Sequence, residues 1–565
     1  MPPLVTGFRL GGLAALLAAA TAAAAEMPLA ELPHPMRRGD EARRLMQDNS
    51  RRFDDIIQQQ RVRQLQQGGM QAQRDEAGPP AQSGCLPVAA VRLSGVTLLA
   101  REEVMKQGLP AGDCLDLVEL NRFVRQLTAL YLQKGYIAAR VTVEGPDAAG
   151  VLTVAAQEGR VARIEPGESG LDPATLFPGV PGRPLNIHDI DQGLDQANRL
   201  QSNRAKVDIA PGERAGDSIL QLSNPPAKPW AGSLSLDNAG RDSTGRVNLG
   251  GSASLDNPFG LNDFISLSAQ RTADDNAERH SRSESLFYSL PYGYWTFSAF
   301  ASRADYLNPQ RLLYSTVALS GNTAQTGARV DRVLYRDQSQ VTTADLQLTQ
   351  KRVRNYFQDV ELGISSPTLT VLEAGLSRMQ LFDGGMLLLD GSAQRGVRWL
   401  GADVLDQRFP NLPNPQFFKL KLTASWYQTL ALPGGPWQWQ SQLAGQASRD
   451  RLPGVEQLDV ADSSAVRGFR NNGLPGETAW YWRNTLSRRV GLGDWALTPR
   501  LGLDAGRVLL RESSTPWQGI AGASVGLNLA WRRASLDLEY SQPLGKPGDW
   551  PGQGHLLFAR LAWGW

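Results

Sequence analysis

The sequence predicts a transmembrane antiparallel β-barrel of about 16 strands, preceded by an N-terminal helix and two small α+β domains. Three observations point there. A secretory leader heads the chain, and after it no run approaches the roughly 18 to 20 apolar residues that a spanning helix needs, so membrane entry requires a barrel. The C-terminal three-fifths alternates apolar and polar residues between turn-rich spacers, which is the pattern of strands with lipid on one side and water on the other. Between leader and alternation lie two stretches that mix helical and strand periods.

The leader is residues 1–25: Arg9, an apolar run from Leu10 to Ala20, and Ala23-Ala-Ala25 before Glu26. The mature chain therefore leaves the cytoplasm, and a barrel in an exported chain implies a bacterial outer membrane. Of 565 residues, 41% are hydrophobic and 20% charged, with a net charge of +2, which argues against a nucleic-acid partner. Scattered histidines, no phosphate loop and no nucleophile elbow leave no sign of an enzyme, a metal site or a cofactor.

Residues 26–67 hold the helix, opening at Asp40 as N-cap. Leu45, Met46, Phe53, Ile56, Ile57, Val62 and Leu65 make a narrow stripe, and arginines and glutamines cover the rest. Such a helix suits a wet lumen or a solvated segment equally well. Residues 68–84 are a linker that spans at most about 55–60 Å. In the first domain, 85–160, a strand from Val88 to Leu99 and a short helix precede a helical run from Leu117 to Tyr131, ended by Gly135; strands Tyr136–Val143 and Val151–Arg163 follow. The two cysteines, Cys85 and Cys114, both lie in this domain, and an even pair in an exported unit points to a disulfide. The second domain, 161–225, carries a helix marked by Ile187, Ile190, Leu194, Ala197 and Leu200, with strands Ala205–Ala210 and Ser218–Leu222.

Pro225, Pro226 and Pro229 open the barrel, 226–565. Phe418, Leu420, Leu422, Ala424 and Trp426 share one face; Lys419, Lys421, Thr423 and Ser425 share the other. Segments 534–540 and 521–531 alternate in the same way. At roughly 20 residues per strand and connection the region makes about 16 strands, an even number as expected. From Leu497 to Leu509 Asp504 falls on the polar face, between Gly502 and Gly506. A half-buried carboxylate there wants an arginine able to bond it twice. Arg467 is the candidate, with Gly468 behind it for a tight turn and Val466 and Phe469 as apolar anchors.

Val466-Arg-Gly-Phe469 followed by Gly502-x-Asp504-x-Gly506 resembles the paired motifs of two-partner secretion transporters, the outer-membrane components of haemolysin, adhesin and contact-dependent-inhibition systems. The likeness covers nearly the whole mature chain. It implies that an extracellular loop reaches down the lumen and that its arginine meets the wall aspartate, an anchor worth about 1–3 kcal/mol. It implies further that the α+β domains are periplasmic POTRA domains; Leu132-Gln-Lys-Gly-Tyr-Ile137 is similar to the family's helix-to-strand junction. By the same resemblance the N-terminal helix plugs the pore. The last strand, ending in Trp563 and Trp565, is similar to the signal read by the barrel assembly machinery, with Trp where Phe is usual. Leu236-Asp-Asn238, Leu255-Asp-Asn-Pro-Phe-Gly260 and Pro291-Tyr-Gly-Tyr-Trp295 also resemble the family and read as turns. The implied function is export of a large β-rich exoprotein by a monomer embedded in outer-membrane lipid. A barrel insertase would show more POTRA units and no plug; a passive porin would need no periplasmic domains.

Overall fold

The computed structural model describes residues 40–66, 85–110, 114–273, 278–311, 316–406, 408, 411–510, 516–548, 550 and 554–565. The leader and the 68–84 linker lie outside the described residues. Sixteen principal antiparallel strands, from Trp230–Asp237 to Leu556–Gly564, close into one barrel. Closure pairs the last strand with the first, from Arg560↔Asp237 to Gly564↔Ser233. Trp565 seals that seam: its backbone N–H donates to the Gly232 carbonyl at 3.1 Å. Its indole lies where a Cβ on Gly232 would sit, 2.4 Å away.

Alternation decides which way each side chain points. Leu420, Leu422 and Trp426 face outward and are exposed, whereas Lys419 and Ser425 face the lumen and are buried. Among the described residues no helix is long and apolar enough to cross a membrane. The barrel crosses it with strands, and the first strand rises from the end next to the α+β domains, here the lower end. The connection 449–477 between the eleventh and twelfth strands therefore starts at the upper end.

Helix α1 (Asp40–Gln66) lies inside the barrel. Ala42, Leu45 and Met46 pack with Tyr306, Val353, Val371 and Phe417 on one side of the lumen. Phe53 stacks against Phe287 and Phe300 lower down, with centroids 6.3 and 4.7 Å away. The narrow apolar stripe thus has a partner, and the polar remainder meets a polar wall: Arg61 bonds Asp331 at 2.9 Å and Asp390 at 3.3 Å.

In the first domain α2 (Arg101–Met105) and α3 (Leu117–Gln133) pack on a three-stranded sheet, with Val151–Gln157 between Ala90–Ser94 and Arg140–Glu144. Asp116 caps α3 by accepting from the Val118 N–H at 2.9 Å, and Gly135, at φ +88°, turns the chain out of it. The expected single strand Val151–Arg163 is two strands. The chain breaks at Glu158-Gly159, and Arg160–Glu165 joins the second domain's sheet. The physical reason is Glu158, whose carboxylate accepts from the Thr97 and Leu98 N–H groups at 2.7 and 2.8 Å and from the Tyr131 hydroxyl at 2.7 Å. Burial would raise its pKa, but these hydrogen bonds hold it below the usual glutamate range.

The strand Cys85–Pro87 pairs with Cys114–Asp116, a small sheet that the sequence reading did not include, and Cys114 is disulfide-bonded. Closing that loop should stabilise the domain by about 3–4 kcal/mol in the chain-entropy model. Thiol labelling of unreduced, unfolded protein should give no signal, and two reactive thiols would refute the bridge.

The second domain contains α4 (Pro173–Leu176) and α5 (Ile187–Asn198), capped by Asp172 and Asn186, over a sheet with Asp217–Ser223 between Arg160–Glu165 and Lys206–Pro211. It docks against the lower barrel turns. Gln192 and Gln196 each donate to the Gly293 carbonyl at 3.0 Å, and Arg336 pairs with Asp195 at 2.6 Å. Arg199, 1% exposed, donates to Ser289 Oγ at 2.7 Å and the Asn262 carbonyl at 2.8 Å. It also reaches Gln60 of α1 at 3.4 Å, so domain, barrel and helix meet at one guanidinium. The turns read from sequence as 255–260 and 291–295 supply or flank this dock.

Candidate functional site

The 449–477 connection does not stay at the barrel mouth. Its stem pairs Leu458–Asp459 with Pro475–Gly476, and its tip turns into the lumen to reach the strand Trp495–Leu509. Val466 and Phe469 are buried with Val460, Ala461, Ala465, Leu474, Val508 and Ile520, and Phe469 meets Trp550 edge-on at 5.7 Å. This apolar plug of loop residues excludes water around the charge that it delivers.

Arg467 and Asp504 form a fork-to-fork pair. Nε donates to Oδ2 at 2.7 Å and Nη2 to Oδ1 at 2.7 Å, and the side chains are 1% and 0% exposed. Two backbone donors complete the carboxylate's shell: the Arg467 N–H at 3.0 Å and the Asn484 N–H at 3.2 Å. The guanidinium also donates to the Asn484 carbonyl at 2.6 Å and lies 3.7 Å from Glu539. A dry bidentate pair with further hydrogen bonds is among the stronger arrangements available to side chains.

The glycines leave room for it. A Cβ on Gly502 would lie 2.3 Å from the Arg467 Cζ, and one on Gly506 would lie 3.1 Å from Val466. Gly468 takes φ +100°, open mainly to glycine, and reverses the tip against Gln542 and Pro543. Gly522, on the neighbouring strand, is equally tight, because its Cβ would stand 1.8 Å from the Arg467 carbonyl oxygen.

The same loop grips α1. Asp459 pairs with Arg43 at 3.4 Å, Asp462 pairs with Arg51 at 3.2 Å, and the Gln457 carbonyl accepts from Gln47 at 2.6 Å. Glu456 ties the stem to the wall through Lys351 at 2.6 Å and Lys419 at 2.8 Å. Sequence reasoning brought Val466, Arg467, Gly468, Phe469, Gly502, Asp504 and Gly506 together, as the structure does. It missed Gly522, Glu456, Asp459 and Asp462, whose partners lie far away in the chain. Trp563 and Trp565 stand apart from this site, on the outer face at the seam.

The model of the haemolysin secretion/activation protein family ShlB/FhaC/HecB matches residues 216–529. A ShlB-type POTRA domain matches residues 86–159, and a second POTRA domain matches 163–211. The chain is 44% identical over 530 residues to the hemolysin transporter protein ShlB of Serratia marcescens, covering 93% of this chain and 94% of that protein. It is 40% identical to the hemolysin transporter protein HpmB of Proteus mirabilis over 507 residues, 89% of this chain and 90% of that one. The solved structure of CdiB from Escherichia coli superposes with a TM-score of 0.84 at 29% identity, covering 96% of this chain and all of that one.

Proposed function

The chain belongs to the haemolysin secretion/activation family of outer-membrane transporters, and from that premise we propose that it moves one large β-rich exoprotein from periplasm to cell surface through its own barrel. The barrel lies in the outer membrane and the POTRA domains lie in the periplasm. The observation that carries the proposal is the occupied lumen. A helix and a returning loop fill a pore lined with charge, and among the described residues neither is joined to a barrel strand by backbone-to-backbone pairing, so each can be released without breaking a strand. A passive pore has no use for such stoppers.

Recognition is assigned to the first POTRA domain. Arg140–Glu144 is an edge strand of its sheet, able to bind an extended segment through backbone hydrogen bonds. Substrate folding outside the cell supplies the energy.

Co-expression with the candidate exoprotein tests this. The exoprotein should appear at the surface or in the medium only when this chain is present, and deletion of residues 85–160 should abolish capture of the exoprotein's N-terminal domain while the barrel still assembles. Surface appearance without this chain would refute the proposal.

A further inference from the structure

We propose that the outer wall of the strands between Asn248 and Phe357 carries a binding site for a phosphate-bearing lipid of the outer leaflet. Charged side chains on this wall face lipid rather than the lumen. Arg271 stands across from Arg282, and Arg282 across from Asp305 on the next strand. One step lower, Arg303 pairs with Glu284 at 2.7 Å, and Arg303 and Arg352 stand on either side of Ala324. Five of these six charged residues are exposed, Arg303 by 77% and Glu284 by 56%, and Asp305 is half-exposed and pairs with His280 at 3.1 Å. On the outward face in mid-membrane an arginine is costly, so their height matters.

That height follows from the strand itself. Trp295, at the lower end, lies under Arg332 in an aromatic and cationic girdle. From Trp295 to Arg303 the strand climbs about 20 Å along the membrane normal, given about 3.3 Å per residue and a tilt near 40°. In an apolar band about 25 Å tall the Arg303 row thus stands about 5 Å under the upper margin, within reach of the headgroups, and the Arg282 row stands at that margin.

Directly beside these rows lies an outward groove of about 630 Å³. Small residues, Gly251, Ala253, Ala269 and Ala301, form its floor, Leu234, Leu267 and Leu286 form its walls, and Glu284 and Arg303 close its end. An apolar trough with a cationic rim fits an amphipath whose acyl chain lies along the wall and whose phosphate meets guanidinium groups. Among the described residues of these rows four arginines stand against two carboxylates, Glu284 paired with Arg303 and Asp305 with His280, which favours an anionic headgroup over a zwitterionic one.

The test uses the full chain in zwitterionic detergent, titrated with bis-phosphorylated lipid A and followed by native mass spectrometry. Wild type should retain lipid A. Arg271→Gln with Arg282→Gln and Arg303→Gln should weaken retention about tenfold or more, as should dephosphorylated lipid A. Ala269→Phe, which fills the groove floor, should also weaken it. Arg378→Gln, the same charge change at the lower end, should leave it unaltered, and heat-modifiable migration reports folding of every variant. Equal retention of lipid A by the triple variant, or of its dephosphorylated form by wild type, overturns the proposal.

Discussion

Arg467→Ala should reduce secretion of the exoprotein about tenfold or more while expression and heat-modifiable folding of the barrel persist. Truncation takes from the buried Asp504 its bidentate counter-charge, and breaking a buried pair in this way costs about 3–5 kcal/mol. The barrel keeps its strands, so the loss falls on the loop, which leaves its seat. Asp504→Ala should do the same, and the double variant should be little worse than either, because both remove one interaction. Charge alone would let Arg467→Asp with Asp504→Arg recover function. The geometry predicts that it does not, since the N–H groups of residues 467 and 484 would then face a guanidinium. Gly522→Ala should resemble Arg467→Ala, because the new methyl occupies the place of the Arg467 carbonyl. Immunoblots of medium and outer membranes measure all of these, and full additivity in the double variant would show that the two residues act separately.

Removing the plug should raise single-channel conductance in planar bilayers severalfold and leave secretion largely intact. Deletion of residues 26–67 takes away Arg43, Arg51 and Arg61, and the carboxylates that they meet, Asp459, Asp462, Asp331 and Asp390, then face water in an opened lumen. Their hydration replaces the lost pairs, so the barrel survives the deletion. The loop loses its three holds on the helix but keeps Arg467 and Glu456, and therefore stays seated until substrate arrives. Unchanged conductance would show that the helix does not limit the pore.

Much of this was legible in the sequence because it rests on local rules. A period of two marks the barrel strands, and apolar residues at helical spacing mark each α+β domain, with Gly135 ending α3 in the first. Alternation and the flanking glycines marked Asp504 as a carboxylate in need of a cation, and the resemblance of the two motifs to the family paired it with Arg467. Contacts made by distant residues stayed hidden. Nothing local marks Arg43 for Asp459, or Arg199 for Ser289, since each partner is set by how the loop or domain docks. The strand break at Gly159 was masked by continuous alternation. Only the structure shows that the Glu158 carboxylate is committed to the loop at Thr97 and that a Cβ at Gly159 would meet Ala138 at 2.4 Å.

On the proposed mechanism this chain alone carries an unfolded exoprotein through its lumen, and release of the loop is the gating step. Proteoliposomes holding only this protein, POTRA domains outward, and given unfolded exoprotein without nucleotide, test it most directly. Protease-protected exoprotein should accumulate inside with wild type and fall away with Arg467→Ala. No protection with wild type, or protection that depends on added nucleotide, would show that the chain does not export its substrate in this way.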